Sequence, residues 1–412
     1  MCGARLACPG VKQALARWLL EIEREPAVRW YGVALGLAHL LVFCHWTFAQ
    51  SATRLLGPEA MPVCWPFFEG CAGWRGLSEG SVGGVLFGYA ALAVAMLAAF
   101  VARRLRWAYG LSWVVVVLHA AITLQDYRLR LNQHYMLLWV GLVFLLAARK
   151  RLALQALLVA FYFWAALLKL NGDWLSGQAL GGALPLLVPR SLLPAACAYV
   201  VALEILAGFG LFSRRPLLFW GTLLQLGLFH AVSFSVVGFF YPILMALLLS
   251  LFWLSRRWPE PMVEEGQRRW RPALISVGLF SLFQLWPLTF PGDPTLTGQG
   301  RALSLHMFDA KVGCRAVATL HFRDRAPQAM AMTSRLPGRI ACDPLVYFHF
   351  ARAVCAEQAK SSAFRDLDWT LDSRRGGQGP LSRVVDLREF CRSDTHYSAL
   401  FANPWIQSGR AR

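Results

Sequence analysis

Apolar runs long enough to cross a bilayer recur as far as residue 290 of this chain, and they settle its architecture ahead of any other feature. A helix rises 1.5 Å per residue, so about 20 apolar residues cross the ~30 Å hydrocarbon layer. Such runs lie near 28–49, 81–101, 108–126, 134–148, 152–170, 191–213, 216–235, 237–255 and 273–290. Hydrocarbon offers no water to a backbone amide, so each run is expected to be a helix. Only Ser235, Gly238 and Pro242 divide the seventh run from the eighth, which also fits one span followed by a re-entrant piece. Membrane burial accounts for a composition that is 57% hydrophobic and 16% charged over 412 residues, too apolar for an ordinary soluble chain.

The formal charge of +18 is topological. Its Arg residues form short clusters between apolar runs, not one basic face interleaved with aromatics, and this argues against nucleic acid as a partner. Alternate connections carry Arg103-Arg104-Arg106, Arg149-Lys150-Arg151, Arg214-Arg215, and Arg256-Arg257 with Arg268-Arg269-Arg271. The intervening loops hold only Arg54 and Arg75, Arg128 and Arg130, and Arg190. Basic loops stay in the cytoplasm, so about nine spans place the N-terminus inside and the C-terminus on the periplasmic, extracellular or luminal side. Residues 1–27 form a cytosolic segment that includes Arg17, Glu21, Glu23, Arg24 and Glu25. Such a segment is not expected to act as a signal peptide, and the first span is expected to direct insertion.

Beyond the nine-helix domain of 28–290, composition changes. Pro291, Asp293, Pro294 and Gly298 read as a linker, and charge is then spread evenly. Alternation over Ala318–Phe322 and Arg383–Leu387 predicts strands, and Tyr347–Gln358 predicts a helix. The fold class is therefore an all-α polytopic membrane domain followed by a small α+β extramembrane domain over 291–412. Six of the ten cysteines fall on the external side, Cys64, Cys71, Cys314, Cys342, Cys355 and Cys391. Their number permits full pairing in fifteen ways, and free buried thiols fit equally well. No metal-ligand spacing is present, so no metal is assigned.

Ionisable groups inside spans are expensive and mark function by default. The topology puts His45, His119, His134, Lys169 and His230, from five helices, in the outer half of the membrane. Any one of them could instead snorkel to water; five together predict a shared polar pocket. Lys169 is the sharpest, because only five of the 41 basic residues are Lys and a desolvated Lys, unlike Arg, can act as a neutral base. Asp173, one turn on, offers it an ion-pair partner. Glu204, deeper in the sixth span, reads as a second unpaired charge, either a proton relay or a structural partner to a His or Ser. The turn Asn171–Gly177 contains the interfacial Trp174. The apolar stretch Gln178–Val188 after it is too short to span and is expected to roof a lipid-accessible site or to lie as a plain interfacial helix.

The string Tyr162–Gly177 (YFWAALLKLNGDWLSG) resembles the signature of the vitamin K-dependent gamma-carboxylase family and its bacterial relatives, the horizontally transferred transmembrane domain proteins. Asn132-Gln133-His134-Tyr135 resembles that family's Asn-His segment, and Phe229-His230 with Gly238-Phe239 resembles its later Phe-His segment. The resemblance covers most of residues 28–310. It implies nine spans, a cytosolic N-terminus and an exported C-terminal domain. It also implies that Lys169 deprotonates a reduced quinone, vitamin K hydroquinone or menaquinol, while His134 supports a quinol oxygen. Gln133, Asn132, Trp174, His230 and Asp173 would contact the quinol, and Glu204 would relay protons. Oxygen would convert the quinol anion to the epoxide, and CO₂ would carboxylate a Glu-containing peptide without a metal. This chain departs from the family at Gln133, Leu168 and Ser233, and its C-terminal region is much shorter. The alternative is a non-catalytic protein of the same fold that binds or transports a lipid or peptide.

Overall fold

The computed structural model describes residues 11–68, 71, 77–180, 184–259, 270–306, 312–332, 340–375 and 380–407. Arg75, Arg268 and Arg269 of the charge pattern, and positions 181–183 of the apolar stretch, lie outside the described residues.

The chain opens with α1 (Val11–Arg24) and α2 (Pro26–Cys44), which runs on through a π-helical turn, His45–Ala49. Next come the short α3 (Ala52–Leu56), then α4 (Glu79–Val101), α5 (Leu105–Leu124), α6 (Asn132–Leu146) and α7 (Lys150–Lys169). The single turn α8 (Gly172–Leu175) precedes α9 (Leu193–Leu211), α10 (Pro216–Val237), α11 (Phe240–Arg257) and α12 (Arg271–Leu285). Proline starts several of these helices, at the first turn, where its missing N–H is no loss.

Among the described residues, eight helical segments, those built on α2, α4, α5, α7, α9, α10, α11 and α12, are long and apolar enough to cross a membrane. The expected span at 134–148 is the exception: α6 has 15 residues, about 22 Å of helix. Expected runs seven and eight are two separate helices. They part at Gly238, whose φ of +73° and ψ of −174° are open essentially only to glycine, and each is long and apolar enough to span.

The bundle's two ends differ. At one end Glu21 of α1 accepts from the Lys150 amide, Arg151 donates to Ser255 O at 2.6 Å, and Arg256 donates to Ser213 O. Three of the basic connections are thereby drawn to one end. Within the bundle α2 and α4 approach closely, because a Cβ on Gly32 would fall 2.6 Å from the Phe100 ring. Small residues permit such contact where lipid supplies no hydrophobic driving force.

The other end carries the C-terminal unit. After α13 (Pro294–Thr297), the strands β1 (Val312–Phe322), β2 (Gln328–Ala331), β3 (Phe364–Arg375) and β4 (Ser382–Leu387) form an antiparallel sheet in the order β2-β1-β3-β4, and α14 (Pro344–Gln358) packs on it. Alternate residues Ala316, Ala318 and Leu320 of β1 face inward with Leu367, Trp369 and Leu371 of β3 against Val346 and Phe348. The α+β expectation holds, but the core is not self-contained. It also buries Val63, Trp65 and Tyr127 from the connections of the helical part. The Tyr127 hydroxyl donates to Asp343 at 3.0 Å, where Arg301 is also paired at 3.1 Å. The six cysteines pair as Cys64–Cys71, Cys314–Cys342 and Cys355–Cys391. This resolves the fifteen connectivities and rules out free thiols at these positions.

Candidate functional site

Lys169 is the last residue of α7. Leu170 leaves the helix at ψ +67°, and the Asn171 carboxamide then caps α8 by accepting the Trp174 amide at 3.0 Å. The expected pairing with Asp173 needs an unbroken helix and does not form. Asp173 instead lies 3.8 Å from Arg375 of β3. The Lys169 ammonium donates to the Glu204 carboxylate on α9, with both side chains at most 3% exposed. Glu204 is therefore not the unpaired charge expected from sequence. Its second oxygen, Oε2, has no hydrogen-bond partner among the described residues. The ammonium also sits 5.5 Å from the Trp174 ring and 5.6 Å from Phe229, and the Trp174 indole is held by Cys197 O at 3.1 Å. Nearby, the Tyr162 hydroxyl and His230 Nε2 are hydrogen-bonded at 2.7 Å.

Lys169 and Trp174 form one wall of a cavity of about 600 Å³, a size suited to a small organic ligand. Half of its lining residues come from α9 and α10, with apolar side chains such as Val200, Leu228 and Val232 among them. Tyr199 and Leu228 line it and are exposed on the outer surface of the bundle, so it reaches the lateral surface between α9 and α10. Ala179, Leu180, Pro185 and Val188 of the apolar stretch cover it. His45, Asn132 and Gln133 also line it. The Asn132 amide is committed to both backbone groups of His306. The Gln133 side-chain oxygen is buried without a partner among the described residues.

His134 is not brought to this cavity. It lies behind His45 and Phe240, stacked on Trp46 at 5.2 Å and hydrogen-bonded through Nδ1 to His119 Nε2 at 3.0 Å. His230 is likewise one layer back, against Tyr241 and Phe229. A smaller cavity of about 240 Å³, where the bundle meets the sheet, is lined by Asn171, Asp173, Gln284, His306 and Arg375. Burial and the nearby Arg301 and Arg130 guanidiniums push the His306 imidazole well below the usual histidine range.

Sequence reasoning passed over His39, Tyr89, Tyr162 and Tyr241. His39 was within its reach, being an ionisable residue in the middle of an apolar run; the tyrosines carry no such signal. Chemically, a buried ammonium–carboxylate pair can exchange one proton within itself, since the neutral pair differs from the ionic one only in where that proton sits. A proton donor in the cavity would find a base here without bulk water. No protein-family model, curated protein or solved structure matches the chain.

Proposed function

We propose that this chain is an integral membrane enzyme of the vitamin K-dependent gamma-carboxylase type. It takes a reduced quinone, vitamin K hydroquinone or menaquinol, from the lipid and oxidises it with O₂ to the epoxide and water. In the full reaction CO₂ carboxylates a glutamate side chain of a peptide. The observation that carries this reading is Lys169, paired with Glu204 behind it, lining a lateral apolar cavity that His45 and Gln133 also line. A para-hydroquinone is an apolar ring and tail with two hydroxyls, and this cavity has a largely apolar lining with polar groups contributed by separate helices. Lys169 is the base for one hydroxyl, Glu204 takes up or returns the proton, and Trp174 packs on the ring. The Tyr162–Gly177 string and its family resemblance point the same way.

The reading places α6 as a ninth, short span, with the basic connections in the cytoplasm and the C-terminal unit outside. Three disulfides at that end support an oxidising compartment. The test is anaerobic vitamin K hydroquinone given to detergent-solubilised protein, followed by oxygen and chromatographic detection of the epoxide, with and without a Glu-containing peptide. Epoxide from the wild type and none from Lys169→Ala is expected. Normal turnover by Lys169→Ala would remove the main support, and binding without turnover would move the chain to the lipid-binding alternative.

A further inference from the structure

Behind the His45 wall stands a column of polar rings that the Lys169 chemistry does not use. His45 opens the π-helical turn that ends α2, a distortion that re-aims side chains and recurs at functional sites. Its ring stacks on Phe240 with centroids 4.1 Å apart. His134 follows at 5.8 Å and is hydrogen-bonded to His119 at 3.0 Å. His39 lies 5.5 Å from His119, and its Nδ1 is hydrogen-bonded to the Tyr89 hydroxyl at 2.7 Å. These five groups come from α2, α4, α5 and α6, and all are buried.

Two links of the column are hydrogen bonds and two are gaps. The gaps fall where His45 Nδ1, His134 Nε2 and His119 Nδ1 have no partner among the described residues. An unsatisfied buried polar atom costs roughly 1–3 kcal/mol, and Phe or Leu would fill the same space without that penalty. Packing therefore does not explain three of them in one line. A metal shell does not explain them either, because no group of three or more His, Cys, Asp or Glu among the described residues has the geometry to hold an ion. Imidazole is the side chain that can accept a proton at one nitrogen and release one from the other. Closing either gap takes a ring rotation or a bridging water.

We propose that His45, which lines the same cavity as Lys169, is the ring that takes the proton of the second quinol hydroxyl, the one Lys169 does not deprotonate, and that the His134–His119 and His39–Tyr89 pairs behind it hold and return that proton. The inference rests on the quinol reading. In the step, one hydroxyl O–H bond breaks, its electron pair stays on oxygen, and the proton binds a His45 nitrogen. Each later transfer moves a proton between rings with no change of oxidation state. The inner end at Tyr89 is closed, so the proton comes back by the same route when the second oxygen atom leaves as water, which takes up both quinol protons. His45 touches substrate; His134 and His119 act through it as positioning residues.

The test uses full-length protein in lipid nanodiscs with ¹⁵N-labelled histidine, titrated anaerobically with vitamin K hydroquinone. Tryptophan quenching reads binding and solid-state NMR reads the ring nitrogens. In the wild type, binding should move the nitrogen signals of His45, His134 and His119 together; in His119→Phe only His45 should move. Turnover should fall by about 10²-fold, the lower range of general acid–base contributions, with the quench midpoint unchanged. His119→Asn, which keeps a hydrogen bond but cannot pass a proton, should be equally slow. Quenching with unmoved ring signals, or wild-type turnover by His119→Asn, overturns the column while leaving the quinol reading intact. Absence of quenching in the wild type sinks both.

Discussion

Glu204→Met removes the countercharge of a lysine that is 3% exposed and substitutes an unbranched apolar side chain of similar volume. Near the ammonium the rings of Trp174 and Phe229 remain, at 5.5 and 5.6 Å. A desolvated cation–π contact is worth about 2 kcal/mol, less than a buried carboxylate returns. Breaking a buried pair by deleting one partner costs about 3–5 kcal/mol, whereas replacing both by apolar groups is often neutral or stabilising. Lys169→Met should therefore cost about as much as Glu204→Met, and the double substitution should recover most of the loss. The coupling energy should be on the order of 3 kcal/mol or more. The four proteins of this cycle would be unfolded reversibly in dodecyl maltoside micelles with rising dodecyl sulfate, followed by tryptophan fluorescence. A coupling below about 1 kcal/mol, the range of exposed pairs, would mean that water reaches the pair. The picture of a dry proton-exchanging site would then be wrong.

Two further outcomes concern the rest of the molecule. Asp368 of β3 accepts from the Glu389 amide at 2.8 Å, His321 at 3.0 Å and Arg388 at 3.1 Å. Burial raises its carboxyl, but those three partners outweigh burial and hold it below its ordinary value. A depressed folded value contributes stability that is complete above the unfolded value of about 3.9 and is lost as pH falls through the folded one. Hydrogen exchange of the β3 amides, corrected for its intrinsic pH dependence, should accelerate from about pH 5 to about pH 3 in the wild type and less so in Asp368→Asn; equal slopes would refute this assignment. Gly238→Ala forces a side chain into a conformation that costs of order 1–3 kcal/mol. A midpoint unchanged in the dodecyl sulfate titration would show that α10 and α11 do not part through that backbone geometry.

The apolar runs, the alternating basic connections and the strand periodicities were legible residue by residue, because each rests on a local quantity. Transfer free energy, charge and side-chain period are summed along a line, so composition alone located the helices to within a few residues. Even the limits of this reading are local: α6 equals its apolar run in length but starts two residues earlier, at Asn132, and stops where Ala147 turns extended. Lys169 stood out for its residue type, but its partner did not, since one chain displays only neighbours at i+3 and i+4. Glu204 comes from a different helix. The same holds for His134, which the motif resemblance makes a site residue and the packing sets behind His45, and for His39, whose hydrogen bond to Tyr89 spans 50 positions. The C-terminal unit likewise borrows Val63, Trp65 and Tyr127 from loops of the helical part, and the disulfides chose one pairing in fifteen. Which residues meet depends on the rotation and crossing of helices. Side chains from distant segments set that rotation by packing together, and no window along the sequence contains them all.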